Sequence, residues 1–284
     1  MPSLFQNCRL ALVVTGLVLA VWGRAPARAD EPLALGFRRE LFVDQTLIHR
    51  LERVRFQIHE PRDEGQVLAF DKPWEGPFSG YVTVLRDGDR FRLYYRGRPT
   101  AGRDGDRVES TCLAESNDGI HWTKPGLGLF TVDGTRDNNC VLADMPPFPH
   151  NFSPLIDTRP GCLSEERYKA LAGVLGEGLF AFVSADGIHW RKMRDTPIFG
   201  IKPIDTPGFV HAFDSQNVAF WSEAEQKYLC YFRSYENGMR RIYRSVSSDF
   251  RNWSKPGRME YTAFGQPAPI EHMYTNQTSP YFRA

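Results

Sequence analysis

Short apolar runs separated by turn residues make up most of this chain, and beyond its first thirty residues no long stretch has a convincing helical period. The clearest run, residues 80–85 (Gly-Tyr-Val-Thr-Val-Leu), predicts a strand. Asp87-Gly88 is typical of a two-residue hairpin turn, and residues 90–96 form the partner strand. A third strand is predicted over 108–114 and a fourth directly after Trp122. The pattern therefore predicts a four-stranded antiparallel unit.

The same order of strands is predicted twice more. Two short extended runs, at 41–48 and 54–58, precede the first unit. The predicted strands of the second unit are 152–156, 168–174 and 179–183, and those of the third are 217–221, 228–233 and 241–246. Residues 276–282 resemble the beginning of another unit, which predicts one further strand. We expect either a truncated sequence or an open ring.

Each unit contains the motif Ser-x-Asp-x-x-x-Trp, here called the box. The boxes are Ser116–Trp122, Ser184–Trp190 and Ser247–Trp253, so they recur at intervals of about 65 residues. Ser and Asp side chains close tight turns by accepting hydrogen bonds from nearby backbone amides. We expect each Trp to pack between neighbouring units. A repeated four-stranded unit of this length predicts an all-β fold, namely a β-propeller with about three complete blades in this chain.

The overall composition limits the classes of function. Lys and Arg total 35 and Asp and Glu total 34, so no net field favours nucleic acid or an acidic membrane. Four cysteines follow the N-terminal segment, Cys112, Cys140, Cys162 and Cys230, which allow three pairings or buried free thiols. Neither a metal-binding spacing of Cys or His nor a cofactor motif is present, so we expect no metal and no cofactor. The oligomeric state stays open.

The N-terminal segment is typical of a secretory signal peptide. Arg9 precedes an apolar run from Leu10 to Trp22, and Ala27-Arg28-Ala29 precedes Asp30. A basic residue, a short apolar run and an A-x-A site predict cleavage after Ala29. We therefore expect a signal peptide over 1–29, a propeller domain over 30–284, a secreted or periplasmic location, and no membrane association after cleavage.

The boxes resemble those of the five-bladed propeller glycoside hydrolases of families 32 and 43, in which hairpins of the form S-x-D-[hydrophobic]-x-x-W end successive blades. Ser247–Trp253 matches that form, and the two D-G-I-H-W copies are close variants. The resemblance covers residues 75–284 and implies a five-bladed propeller of four-stranded antiparallel blades that acts on an oligo- or polysaccharide. The N-D-P-N-G, R-D-P and E-C motifs of family 32 are missing. Glu75-Gly76-Pro77 has the E-G-P form common around the family 43 acid, but it precedes the first complete unit.

The geometry of a propeller indicates where a site would lie. The first strand of each blade lines the axis, so residues just before these strands converge at one rim. Glycoside hydrolysis requires two carboxyl groups, one protonated and one ionised. We expect Glu75 as the acid, Asp214 as the base or nucleophile and Glu271 as a third carboxylate. The expected sugar-binding residues are Trp74, His150, Asn151, Gln216 and Asn276.

Two other functions stay open on the sequence. Because the family motifs are incomplete, the propeller could bind carbohydrate without catalysis, or it could bind proteins at its rims. Each predicted carboxylate could also be a strand-end cap or an ion-pair partner. His150 could be a loop histidine whose hydrogen bonds are all made within the protein.

Overall fold

The computed structural model describes residues 48–174, 176–200, 212–263, 266–267 and 271–280. The chain divides into two compact units, Met1–Gln57 with Arg283–Ala284, and Ile58–Phe282. The predicted signal peptide lies outside the described residues, as does nearly all of the predicted strand over 41–48. The prediction of a strand over 54–58 is wrong, because these residues are exposed and have no regular secondary structure. All strands of the described residues lie in the second unit.

Three four-stranded antiparallel sheets form the second unit, and in each the strands pair in sequence order. Blade 1 consists of β1 (Gly80–Asp87), β2 (Arg90–Gly97), β3 (Ser110–Ser116) and β4 (Cys140–Leu142). Blade 2 consists of β5 (Ser153–Ile156), β6 (Tyr168–Ala172), β7 (Phe180–Ser184) and β8 (Arg191–Lys192). Blade 3 consists of β9 (Val218–Ser222), β10 (Lys227–Glu236), β11 (Met239–Ser247) and β12 (Gly257–Arg258).

The described residues contain little other regular structure. Strands β13 (Thr262–Ala263) and β14 (Gln266–Pro267) form a short hairpin. Single-turn 3-10 helices cover Phe148–His150 and Ser164–Glu166. The many short apolar runs of the sequence therefore form strands, as their period predicts.

The boxes form three nearly superimposable turns. In the first, the Ser116 hydroxyl bonds to the Asp118 carboxylate at 3.0 Å. Asp118 Oδ1 accepts the backbone N–H groups of Ile120 and His121, each at 2.8 Å. The indole N–H of Trp122 donates to the carbonyl of the residue three positions earlier. The second and third boxes repeat every one of these bonds to within 0.2 Å. The prediction that these side chains close turns is confirmed.

The third box shows how strictly the turn is specified. Gly119 and Gly187 have positive φ angles of 78° and 74°, and Phe250 occupies the equivalent position with φ of 63°. A bulky residue in this region is strained. Phe250 is fully buried, with its ring 5.0 Å from that of Tyr228 and 5.4 Å from that of Trp253. Packing in the core offsets the cost of the backbone conformation.

The box tryptophans pack at matching places in successive sheets. Trp190 lies between blades 1 and 2, with its ring 6.3 Å from Tyr94 and 4.9 Å from Phe152. Trp253 packs against the core shared by blades 2 and 3, and Trp122 packs against the core of blade 1. The first strands also pack side by side, β1 on β5 and β5 on β9. The sheets are therefore arranged around an axis lined by their first strands, as the blades of a propeller are.

Equivalent tyrosines connect one blade to the next at the end of the propeller where the box turns lie. The hydroxyl of Tyr168, at the start of β6, donates to Asp87 at the end of β1. The hydroxyl of Tyr228 donates at 2.6 Å to Asp157, which directly follows β5. Tyr168 and Tyr228 both lie opposite a box serine in the ladder. Both aspartates therefore lie at the end of the first strand opposite its start.

Blade 1 differs from the prediction in its fourth strand. The residues after Trp122 form only an isolated bridge, between Glu115 and Thr123, and β4 comes from Cys140–Leu142 after a long loop. The Lys124 ammonium group instead donates hydrogen bonds to the carboxylates of Asp71 and Glu75. These contacts join residues about 50 positions apart in the sequence, and periodicity does not reveal them.

Candidate functional site

Three side chains converge where the first strands of the blades begin. Tyr81 is the second residue of β1, while His150 and Asp214 shortly precede β5 and β9. The rings of Tyr81 and His150 meet edge to face with centroids 5.5 Å apart. His150 Nε2 lies 3.9 Å from Asp214 Oδ1. We call the surface formed by Tyr81, His150 and Asp214 the funnel.

Asp214 is held in the funnel by an arginine from the neighbouring strand. Its Oδ2 lies 2.7 Å from Nη2 of Arg233 in β10, and the same guanidinium donates to the Asp214 carbonyl. Arg233 also donates to the carbonyl of Tyr274 at 2.7 Å. The Asp214 side chain stays 38% exposed, whereas that of Arg233 is buried. The carboxylate is therefore both fixed in direction and accessible.

His150 is held in place by a buried cluster of charged side chains. Its Nδ1 lies 3.0 Å from Glu109 Oε1, and Glu109 also accepts from the Arg98 guanidinium. Arg96 Nη1 lies 3.1 Å from His150 Nδ1. In the described part of the chain, His150 Nε2 has no hydrogen-bond partner, although it is buried. The ring is thus fixed with its free nitrogen directed toward Asp214.

Two aromatic residues, one in the funnel and one next to it in the sequence, have strained backbones. Tyr81 has φ of 53°, and Phe213, which precedes Asp214, has φ of 71°. Such outliers occur mainly where the surrounding structure imposes them, often at functional sites. Arg96 lies over the Tyr81 ring at 4.7 Å. Burial, and then the negative charge of Asp214, raise the pKa of the Tyr81 phenol, which therefore stays a hydrogen-bond donor near neutral pH.

The sequence interpretation missed Tyr81, Arg96, Glu109 and Arg233. Arg96 and Arg233 follow an aromatic pair, Tyr-Tyr in β2 and Tyr-Phe in β10, and this shared pattern could have revealed both. Glu109 has no comparable signal, because its role depends on contacts with residues from two blades.

Glu75 and Trp74 make their described contacts within the blade 1 core and not with Tyr81, His150 or Asp214. Glu75 is fully buried, and Lys124 Nζ lies 2.6 Å from its Oε2. Its other oxygen accepts from Tyr95, which points to the opposite face of β2 from Tyr94, the residue that contacts blade 2. Trp74 donates to Asn139 at 2.9 Å within the blade 1 core. None of the described contacts joins Glu75 to Asp214.

Two predicted sugar-binding amides are used within the protein. Asn151 Nδ2 donates to the carbonyls of Gly173, Phe213 and Ser215, and its Oδ1 accepts the Gly173 N–H. Gln216 donates to Thr83 Oγ1 at 3.1 Å and accepts from Gln277. These bonds connect blades across the axis. They position the funnel, and they leave little capacity for a ligand.

The predicted residues of the C-terminal segment reach the same rim. Met273 N–H donates to the Arg240 carbonyl at 3.1 Å, and the Tyr274 carbonyl accepts from Arg233. Glu271 is exposed at the start of this segment. Asn276 accepts the Thr278 N–H at 3.4 Å, while its amide nitrogen is buried without a partner in the described residues. Glu271 thus lies on a segment tied to the arginine that holds Asp214.

A cavity of about 660 Å³ lies on the axis below the funnel. It is lined by β1, β5, β9 and residues 277–280. The C-terminal segment therefore occupies the place predicted for a further first strand, but no ladder pairing is found for it in the described residues.

The site offers one group of potential metal ligands. Ligand atoms of Asp104, Glu109 and His150 lie within 4.8 Å of one another. However, the Arg98 guanidinium already binds Glu109, and Arg96 lies 3.9 Å from the same carboxylate. Two cations at these oxygens oppose a third. This donor set therefore does not fit a metal ion.

Comparisons with known proteins find similarity in structure only. No family model matches the chain, and no curated protein matches it. A β-fructofuranosidase from Schwanniomyces occidentalis complexed with fructosyl-erythritol is 16% identical over 64% of this chain and 35% of that protein, with a TM-score of 0.43. An N-acetylgalactosamine deacetylase from F. plautii in complex with blood group B trisaccharide is 14% identical over 68% and 56%, with a TM-score of 0.43. A glycosyl hydrolase from Bacteroides ovatus is 13% identical over 69% and 53%, with a TM-score of 0.42.

Glycoside hydrolases are thus among the solved structures that this chain resembles, as the boxes predict. The chain spans less than two thirds of the length of each of these proteins. In the described part of the chain, none of the helices has the length and apolarity needed to span a bilayer.

Proposed function

We propose that this chain is part of a secreted glycoside hydrolase-like propeller that binds an oligo- or polysaccharide at the funnel. The observation that carries the proposal is the convergence of Tyr81, His150 and Asp214 from the entrances of three different first strands. An accessible carboxylate beside an aromatic ring is the combination that sugars require, since hydroxyl groups donate to the carboxylate and C–H faces pack on the ring.

Asp214 is the proposed base or nucleophile. Arg233 fixes its Oδ2, which leaves Oδ1 free to face a bound sugar. In hydrolysis this carboxylate either takes a proton from the attacking water or bonds to the anomeric carbon, while a second carboxyl group protonates the leaving oxygen. The bond between the anomeric carbon and that oxygen then breaks.

Glu271 is the better candidate for the second carboxyl group. Its segment is hydrogen-bonded to blade 3 at Arg240 and to Arg233, and its side chain is exposed. The buried contacts of Glu75 with Lys124 and Tyr95 favour a structural role instead. The sequence-based pairing of Glu75 with Asp214 stays a prediction.

The test is hydrolysis of aryl glycosides and oligosaccharides by the full-length protein. Asp214→Asn should lower kcat, measured on folded protein, by at least about 100-fold, because an amide can act neither as base nor as nucleophile. The Tm should fall as well, because the buried Arg233 guanidinium loses its charged partner. Glu271→Gln should also lower kcat. Glu165→Gln, an exposed change at the opposite rim, serves as the matched control. Full activity of Asp214→Asn would refute the proposed role.

Carbohydrate binding without catalysis is the second candidate. It is favoured by one observation, that Glu75 makes its contacts with Lys124 and Tyr95, and no described contact joins it to Asp214. A glycan array distinguishes the two functions. Sugar binding that survives Asp214→Asn, in a protein that hydrolyses no glycoside, would support the binding function.

A further inference from the structure

Two of the cysteines face each other across the outer edge of blade 1. Cys112 lies in β3 and Cys140 is the first residue of β4, and the two are direct partners in the ladder. Both side chains are fully buried, and their Sγ atoms are 3.9 Å apart. In the described residues both are thiols.

The ladder register brings the two side chains close together. The Leu113 N–H donates to the Asn139 carbonyl at 2.9 Å, so this backbone bond flanks the Cys112–Cys140 pair rather than joining it. Such non-hydrogen-bonded pairs have Cα atoms about 4.5 Å apart and side chains in closest approach. That separation lies within the range that a disulfide accepts, and the two sulfur atoms need only rotate and approach to about 2.05 Å.

Strand β4 is the strand of blade 1 with the fewest ladder pairs. It has three residues, and only Cys140 and Leu142 pair with β3. Cys112 and Cys140 are 28 positions apart in the sequence, and the segment between them contains the first box. Short edge strands hold few hydrogen bonds, so a cross-link here closes a long loop at the least secured edge.

We propose that Cys112 and Cys140 form a disulfide bond in the mature, oxidised protein. The thiolate of one cysteine attacks the disulfide of a small-molecule or protein thiol oxidant, and a mixed disulfide forms as the first oxidant thiol leaves. The second cysteine then loses its proton and displaces the remaining oxidant thiol. Two thiols are oxidised to one disulfide, and the two electrons and two protons reduce the oxidant disulfide to two thiols.

The other two cysteines stay thiols. Cys162 Sγ lies 3.6 Å from Lys169 Nζ, and burial raises the pKa of this thiol to about 11, which disfavours the reactive thiolate. Cys230 is fully buried in β10 of blade 3. Of the three pairings that the four cysteines allow, the proposed Cys112–Cys140 disulfide therefore forms without a second disulfide between Cys162 and Cys230.

Mass spectrometry of the full chain tests the pairing directly. The protein is refolded from denaturant in a mixture of oxidised and reduced glutathione, and free thiols are then alkylated under denaturing conditions. Digestion without reduction uses trypsin and an aspartate-specific endoprotease, which cuts before Asp144 and Asp157 and so separates Cys140 from Cys162. We expect one cross-linked pair of peptides, with Cys112 joined to Cys140, and alkylated Cys162 and Cys230. Alkylation of both Cys112 and Cys140, or a link from either to another cysteine, would overturn the proposal.

Thermal unfolding provides the second readout. Reduction should lower the Tm of the oxidised wild-type protein by about 10 °C, because it restores loop entropy to the unfolded chain. The Tm of Cys162→Ser should respond to reductant in the same way, whereas a Cys112→Ala/Cys140→Ala double variant should not respond. A wild-type Tm that is equal with and without reductant contradicts the cross-link, even if the double variant fails to fold.

Discussion

Arg96 and Arg233 occupy the same position in the second strands of blades 1 and 3, and both guanidinium groups reach the funnel. Each lies five residues after the residue that pairs with a box serine, Phe91 in blade 1 and Tyr228 in blade 3. Arg96 supports His150 and the Tyr81 ring, and Arg233 supports Asp214. One position of the repeat thus supplies the positive charge on both sides of the funnel.

Blade 2 has a glycine at this position, and the consequence is visible nearby. Gly173 bonds the Asn151 side chain through both its N–H and its carbonyl group. A Cβ atom at Gly173 would lie 2.0 Å from the Gly178 carbonyl oxygen, so no arginine fits. The position equivalent to the two arginines therefore anchors the amide that connects blade 2 to blade 3.

Arg233→Lys should weaken sugar binding at the funnel by at least about tenfold. A lysine keeps the charge but cannot bind Asp214 and the Tyr274 carbonyl together, because it lacks the planar fork of the guanidinium group. Titration calorimetry with a bound oligosaccharide measures the change in Kd. Arg244→Lys, at a part-exposed pair with Glu225, is the control and should bind normally. Equal affinities of the two variants would contradict this support role.

Glu75→Gln should lower the free energy of unfolding by about 3 kcal/mol, because it leaves the nearly buried ammonium of Lys124 without its closest charged partner. Urea unfolding measures this loss. The control is Asp71→Asn, since Asp71 is the exposed partner of the same lysine and its loss should cost far less stability. If Glu75→Gln abolished activity while the free energy of unfolding stayed unchanged, the catalytic role expected from the sequence would be restored.

Gly187→Ala should destabilise the protein more than Gly119→Ala, although both glycines have similar positive φ angles. A Cβ atom at Gly187 would lie 2.5 Å from Arg92 Nη1 and from the Tyr94 hydroxyl, whereas nothing lies within 4 Å of one at Gly119. We expect about 1 kcal/mol for Gly119→Ala from backbone strain alone, and at least twice that for Gly187→Ala. Differential scanning calorimetry compares the two, and equal losses would show that packing at Gly187 relaxes freely.

The box turns should lose stability in acid. Burial opposes the charge of Asp249, but hydrogen bonds from the Asn252 backbone and side chain and from Arg251 outweigh it and lower its pKa to about 2. An unfolded aspartate has a pKa of about 3.9. The ionised turn therefore stabilises the fold above about pH 4, and this contribution is lost as the pH falls toward 2.

The measurement for the box turns is the free energy of unfolding between pH 2 and 6. Asp249→Asn should make the dependence on pH below 4 less steep, while Asp89→Asn, an exposed change in the β1–β2 turn, should leave it as in the wild type. A wild-type protein whose stability is constant from pH 5 to 2 would show that the turn adds nothing through this charge.

The sequence by itself determined the repeated part of the fold. Side-chain hydrogen bonds within each box span only seven residues, and alternating apolar positions determine which face of a strand is buried. Such local signals can be recognised directly in the sequence. They predicted the three blades and the turns that carry Trp122, Trp190 and Trp253. Of the residues predicted at the starts of the first strands, His150 and Asp214 lie 3.9 Å apart.

Only the tertiary structure decided how the charges are used. Whether a buried carboxylate serves a ligand or the protein depends on which cation lies beside it, and these partners come from distant positions. Glu75 meets Lys124 across the blade 1 core, Glu109 meets His150 between blades, and Asp214 meets Arg233. The periodic pattern of apolar residues does not predict such pairs. An ion pair requires that two side chains be close in space, and this does not fix their separation in the sequence.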